Sequence, residues 1–304
     1  MKKRPGTLTI STRGPQGGVV DEPVFNEAWL RFMYYTPVGA MVRHAVLRTR
    51  LFSGLYGKLN RSHRSAHKIR RFIRNYDIDT GDLDRPIESF HSFDDFFTRR
   101  LKDGARPVDL SPTRLISPAD ARVIKYELKK DTIFPVKGCS FSLDALLERP
   151  DVAQDFADGT AIVLRLAPFD YHRFCYVDDA QVGSVWTAGR LYEAVHPYAI
   201  WAHAKSFTVN VRDCCVLHTR HFGDVLHVDV GALGVGAITQ FDQSGSSVSR
   251  GQEKGLFSLG GSTIVLVFKR NTIVMDADIE ENSSSGIETM VRYGEGIGSR
   301  KRSD

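Results

Sequence analysis

The sequence predicts an α+β protein, an N-terminal helical subdomain packed on a β-rich body, from three observations. Ala66, Ile69, Phe72, Ile73 and Tyr76 recur at three- and four-residue steps, with Lys68, Arg70, Arg71 and Arg74 on the other face, as in an amphipathic helix. After Pro112 the texture changes to strand-length β-branched runs: Thr160–Leu166, the alternating Leu226–Val230, and Ser262–Phe268. Glycines at 231, 234, 236, 251, 255, 260 and 261 punctuate that second half.

In chain order, residues 1–25 read as a flexible lead, with Gly6, Gly14, Gly17 and Gly18 and no apolar period. Residues 26–111 read as a basic helical region, in which Trp29, Phe32, Met33 and Tyr34 sit among Arg31, Arg43, Arg48 and Arg50. That composition suits an amphipathic segment lying on a surface. Ser92 with Asp95 three residues on resembles a capping box, followed by the apolar face Phe93, Phe96, Phe97 and Leu101, with Gly104 and Pro107 as stops. Residues 112–280 form the β-rich body, and 281–304, with Ser283–Gly286 and Arg300–Arg302, read as a mobile tail.

Composition narrows the function. The chain has 304 residues, 42% hydrophobic and 25% charged, which excludes collagen-like, coiled-coil and wholly disordered classes. Cys139, Cys175, Cys214 and Cys215 form no CxxC pair and no secreted-type framework, so a reducing compartment is expected. The most apolar early stretch, residues 32–42, is about half of the ~20 residues a membrane span needs and is broken by Pro37 and Gly39. Charge is unevenly placed. Residues 1–76 hold 15 Lys and Arg against three acids (Asp21, Glu22 and Glu27), a net of +12, while the rest of the chain is net acidic. A basic front on an acidic body points to an anionic partner, phospholipid or nucleic acid, with a plain solvated helix face as the alternative.

Three segments carry candidate chemistry. Ser117-Pro118-Ala119-Asp120 sets an acid after a Pro-fixed turn, which is commonly structural. In Asp170-Tyr171-His172-Arg173-Phe174-Cys175, His172 could act as a general base or be a turn residue. In Gly260-Gly261-Ser262-Thr263 the glycines leave the Gly261 carbonyl open to approach, and the Ser262 hydroxyl could attack it if a base removed its proton. The alternative is a strand-initiating turn.

Together, Ser-Phe-Asp-Asp-Phe-Phe-Thr-Arg-Arg-Leu (92–101), Arg-Pro-Val (106–108), Ser-Pro-Ala-Asp (117–120), Asp-Tyr-His-Arg-Phe (170–174), Asn210-Val211-Arg212, Val230-Gly231-Ala232, Gly-Gln-Glu-Lys-Gly (251–255) and Gly-Gly-Ser-Thr resemble the phosphatidylserine decarboxylase family over residues 26–280. The Gly-Gly-Ser-Thr form is similar to the clostridial and chlamydial branch.

The resemblance implies a pyruvoyl-dependent decarboxylase that converts phosphatidylserine to phosphatidylethanolamine. Ser262 would attack the Gly261 carbonyl, and an N-to-O shift and β-elimination would split the chain and leave a pyruvoyl group from Ser262. That group is the only cofactor implied, with no metal. Asp120 matches the Asp of the family's self-cleavage triad, and His172 matches a His used around decarboxylation. The family pattern continues Asp-Tyr-His-Arg-x-His, and its second His, the triad member, is here Cys175. A thiol with an ordinary pKa near 8.5 serves as a base only where neighbours stabilise the thiolate. His172, His196 and His218 are the substitute bases. Implied partners are the anionic membrane, phosphatidylserine and the two cleaved chains, with a homodimer left open and no nucleic acid. The protein would sit peripherally on the cytoplasmic side of a membrane without a transmembrane helix. The rival readings are a decarboxylase of another amino acid, and an uncleaved, non-catalytic lipid- or partner-binding protein.

Overall fold

The computed structural model describes residues 9–14, 17–24, 26–43, 50–128, 134–136, 139–191, 206–231, 238–259 and 262–301. A strand pair, β1 (Thr9–Ser11) and β2 (Val19–Asp21), precedes helices α1 (Glu27–Tyr35), α2 (Pro37–Val42), α3 (Arg50–Arg61), α4 (Lys68–Tyr76) and α5 (Phe93–Phe97). The body opens with β3 (Arg114–Ile116), β4 (Ala121–Glu127), β5 (Phe134–Val136) and β6 (Cys139–Phe141), then α6 (Leu143–Leu147) and α7 (Pro150–Asp155). It continues through β7 (Thr160–Leu166), β8 (Arg173–Cys175), β9 (Ala180–Ala188), a short helix Ser206–Val209, β10 (Arg212–Thr219) and β11 (Gly223–Val230). The last strands are β12 (Ile238–Gln240), β13 (Ser247–Val248), β14 (Glu253–Phe257), β15 (Ser262–Phe268), β16 (Ile273–Met275), β17 (Glu288–Val291) and β18 (Gly296–Arg300), with helix Ala277–Ser284 before β17.

Ten strands form one sheet in the order β13-β9-β10-β11-β15-β7-β4-β17-β1-β2. Its neighbours are antiparallel except β1 and β17, which run parallel. β15 lies inside the sheet, with Ser262 opposite Leu166 of β7 and Thr263 opposite Val230 of β11. All seven residues of β15 are buried, which is why its sequence is a continuous β-branched run rather than an alternating one. On one face Ile162, Leu164, Ile264, Leu266 and Phe268 pack with Phe174 and Phe257; on the other, Val163, Val228, Val265 and Val267 meet Leu146, Leu147 and Phe156. Each such side chain contributes roughly 1.5–3 kcal/mol on burial. The three-stranded sheet β12-β14-β8 brings the residues after His172 beside this layer. Gly255 is required there, since a Cβ would sit 2.3 Å from Thr239 O and 2.8 Å from Phe174 Cζ.

The helical part has its own core of Ile69, Phe72, Phe90, Phe93, Phe96 and Phe97, joined by Leu259 of the body. The expected cap is present: Ser92 Oγ accepts from Asp95 N at 3.1 Å. The helix is shorter than its apolar pattern suggested, ending at Phe97, because Thr98 turns its hydroxyl onto Asp94 O at 2.9 Å and its carbonyl to Arg173 Nε at 3.0 Å.

Two expectations are corrected. Within the lead, the described residues 9–14 and 17–24 carry β1 and β2, and Arg13 pairs with Asp276, Asp278 and Glu295 at 2.7–2.8 Å. The tail over 281–304 contains β17, inserted between β4 and β1, and β18, between β16 and β3. Strands of three to five residues held by distant ion pairs leave no local periodicity to read, so both termini look mobile in sequence.

Candidate active site

At the head of β15, Ser262 is buried and its Oγ lies 3.3 Å from Nδ1 of His172. His172 arrives there by a tight turn after β7, in which Asp170 N donates to Ala167 O at 3.0 Å. The same Ala167 carbonyl lies 3.0 Å from His172 Nε2. A carbonyl only accepts, so Nε2 carries the proton and Nδ1 presents a lone pair to the Ser262 hydroxyl. Phe97 stacks on the imidazole with centroids 4.1 Å apart, and Phe257 N donates to His172 O at 2.9 Å.

Burial, then the Arg99 guanidinium, pushes the His172 imidazole down to about 3, so it stays neutral at ordinary pH. Arg99 is placed by donating to the Phe169 and Asp170 carbonyls at 3.1 and 2.9 Å.

The other candidates sit differently. Asp120 is gripped by Arg106, with Nε at 2.9 Å and Nη2 at 2.7 Å, and accepts from Tyr293 N at 2.8 Å. Cys175 is fully buried, its Sγ 4.0 Å from Ser117 O and paired with the Tyr293 side chain. Burial pushes this thiol up to about 12. Among the described residues, neither Asp120 nor Cys175 hydrogen-bonds Ser262: Asp120 is held by Arg106 and Tyr293, and the Cys175 thiol by Ser117 and Tyr293. The far nitrogen of the His172 ring meets a backbone carbonyl, that of Ala167, rather than a carboxylate. His218 lies exposed on β10 against Asp224 at 2.8 Å. Gly260, Gly261 and His196 lie outside the described residues.

Sequence reasoning missed Phe97, Arg99 and the Ala167 carbonyl. The first two lie in the 92–101 motif, where the Phe periodicity reads as core. A main-chain acceptor has no residue signature, although Ala167-Pro168 before Asp170 marks its turn. Among the described residues no three His, Cys, Asp or Glu side chains are grouped to hold a metal.

The family model for phosphatidylserine decarboxylase matches residues 93–299, from the first residue of α5 into β18. The chain belongs to the phosphatidylserine decarboxylase family. It is 40% identical over 286 residues to a phosphatidylserine decarboxylase proenzyme of Fusobacterium nucleatum, covering 94% of this chain and 95% of the relative. It is 40% identical over 280 residues to the proenzyme of Clostridium novyi (92% and 95% covered). Against the Desulfitobacterium hafniense proenzyme it is 38% identical over 282 residues (92% and 95%). The family match takes in β17 and β18 as far as residue 299, so the C-terminal segment that looked mobile belongs largely to the phosphatidylserine decarboxylase body itself.

Proposed function

We propose that the chain is a phosphatidylserine decarboxylase matured by self-cleavage between Gly261 and Ser262, converting phosphatidylserine to phosphatidylethanolamine and CO₂. The observation that carries this is the buried Ser262 hydroxyl facing the unprotonated Nδ1 of His172. His172 takes the Oγ proton as Oγ adds to the Gly261 carbonyl carbon and returns it to the departing nitrogen, so the Gly261–Ser262 amide breaks in favour of an ester with a free Ser262 amine. Loss of the Ser262 α-proton expels the Gly261 carboxylate, leaving a dehydroalanine amine whose hydrolysis releases ammonia. His172 is a weak base for this, which suits a reaction needed once per molecule. Asp120, held by Arg106, fixes the β3–β4 turn against Tyr293 rather than relaying a proton.

The site fits the pyruvoyl group this route leaves: its precursor serine is enclosed, faced by His172, on which Phe97 stacks, and anchored in a central strand. That group supplies a ketone as electron sink for the departing CO₂. His172, buried and neutral, can hold or move a proton beside it, and Phe97 keeps water from the ring.

Presentation of the substrate at an anionic membrane, on its cytoplasmic side, is supported by the helical front. Trp29, Phe32, Val38, Met41, Leu55 and Leu59 are exposed there, Met41 by 65%. Lys58, Arg61, Arg64, Arg71 and Arg74 are exposed nearby in sequence. Apolar anchors flanked by basic side chains are what an anionic bilayer surface binds. No helix among the described residues is long and apolar enough to cross a membrane.

Intact-mass spectrometry of the purified protein tests the proposal. Two chains, residues 1–261 and a 262–304 chain with a pyruvoyl terminus, are expected; a single 34.0 kDa species would reject it in favour of the non-catalytic reading.

A further inference from the structure

We infer that Glu22, in the N-terminal segment after β2, is a positioning residue for His172, acting through Arg122 and Asp170. Glu22 and Arg122 form an ion pair in which both side chains are 2% exposed. Arg122 Nη1 in turn pairs with the Asp170 carboxylate. The same Asp170 Oδ2 accepts from Ala167 N at 2.6 Å. Ala167 O accepts from His172 Nε2, whose Nδ1 faces Ser262. Every link in this chain is a contact between buried or part-buried groups.

Glu22 is itself fixed by Arg165, whose Nη2 lies 2.5 Å from Glu22 Oε2 and 2.6 Å from Glu288 Oε2. Five charges, three acidic and two basic, are thus enclosed where β4, β7 and β17 meet the N-terminal segment. Such a network gives little net stability, because desolvation offsets most of the attraction, yet losing one member strands the others. What it does determine is geometry. Asp170 must present Oδ2 to Ala167 N and keep the turn closed, so that the Ala167 carbonyl points at Nε2. Burial pushes the Asp170 carboxyl up, and Arg122 opposes this by holding the charged form. If the turn loosens, the imidazole is free to place its proton on Nδ1, where it can no longer accept from Ser262. Glu22 sits among the positive front's only three acids, yet serves the site and leaves the exposed charge undiluted.

This rests on the self-cleavage reading for its consequence and not for its test. In the Ser262→Ala chain, which has no hydroxyl to react, ¹⁵N-histidine NMR reads the two ring nitrogens of His172 directly, with His172→Gln identifying its signals. The parent is expected to show one tautomer, protonated at Nε2. Adding Glu22→Gln is expected to give signals averaged between both tautomers while the remaining spectrum stays dispersed. In the chain with Ser262, the same change should slow splitting by ~10- to 10²-fold, the range lost on small misplacement of a reacting group. Should Glu22→Gln not fold, Arg122→Lys is read the same way, since it keeps the charge but loses the guanidinium fork that joins Glu22 to Asp170. A folded variant that keeps the single Nε2-protonated tautomer overturns the inference, even if its melting temperature falls. A parent that never splits would overturn the cleavage reading while leaving the tautomer comparison intact.

Discussion

Ser262 Oγ and His172 Nδ1 face each other at 3.3 Å in a site closed to solvent, while Cys175 turns its thiol to Ser117 O and Tyr293. This geometry favours His172 over Cys175 as the base of the proposed self-cleavage. His172→Ala is expected to slow chain splitting by about 10²-fold, the low end for a positioned base, because an imidazole held down to about 3 is a weak one. Cys175→Ser, which keeps the side-chain volume, is expected to leave the rate within a few-fold. Time courses of freshly translated protein on denaturing gels measure both, and the opposite ranking would return the role to Cys175.

Ser262→Ala is expected to abolish both splitting and CO₂ release, since the hydroxyl is nucleophile first and cofactor precursor afterwards. A chain carrying Ser262→Ala that still breaks at this bond would refute the assignment.

How far the sequence could be read depended on whether the physics was local. β7 and β15 were legible to the residue, because a strand buried on both faces must be an apolar run. The Ser92–Asp95 cap was legible because capping spans three residues. β1, β2, β17 and β18 were not, since their stability lies in Arg13 with Asp276 and in Arg165 with Glu22 and Glu288, pairs separated by 123 to 263 residues. The motif at 170–175 located the site and named both His172 and Cys175, without ranking them as bases toward Ser262. Sequence order cannot say which way alternate side chains of a turn and short strand face, and here it is His172 that turns toward β15.

The helical front is expected to bind anionic vesicles in a salt-sensitive way, because exposed charges are screened within about 10 Å at 0.1 M ionic strength. Trp29→Ala and Met41→Glu, both at exposed positions, are expected to weaken co-sedimentation with phosphatidylserine-containing vesicles without lowering thermal stability. Binding indifferent to salt, to lipid charge and to both substitutions would place the membrane contact elsewhere.

Cleavage is not expected to release the small chain. β15 is hydrogen-bonded between β11 and β7, and β17 between β4 and β1, so the segment after the cleavage point enters the large sheet twice. The cleaved protein should elute as one species in native size exclusion and separate only in denaturant; separation without denaturant would contradict this topology.

The pH dependence of splitting separates the candidate bases most sharply. His172 is held down to about 3 by burial, so its neutral form is present throughout pH 5 to 9 and the rate should be nearly flat there, with no acid limb at the ordinary imidazole value of 6.5. Were the Cys175 thiol the base, pushed up to about 12, the rate would climb about tenfold per pH unit across that whole range. Stability carries the complementary signature. Between about pH 6.5 and 3 the unfolded chain binds a proton at residue 172 that the folded chain refuses, so the folded state loses stability as pH falls through this window and regains it as pH rises. His172→Gln removes that proton difference and should flatten the acid side of the stability curve, as read by urea unfolding midpoints from pH 4 to 7. A cleavage profile with a midpoint near 6.5, together with an unchanged acid slope in His172→Gln, would mean the imidazole is solvated and the closed Ser262–His172 pair is not the form that reacts.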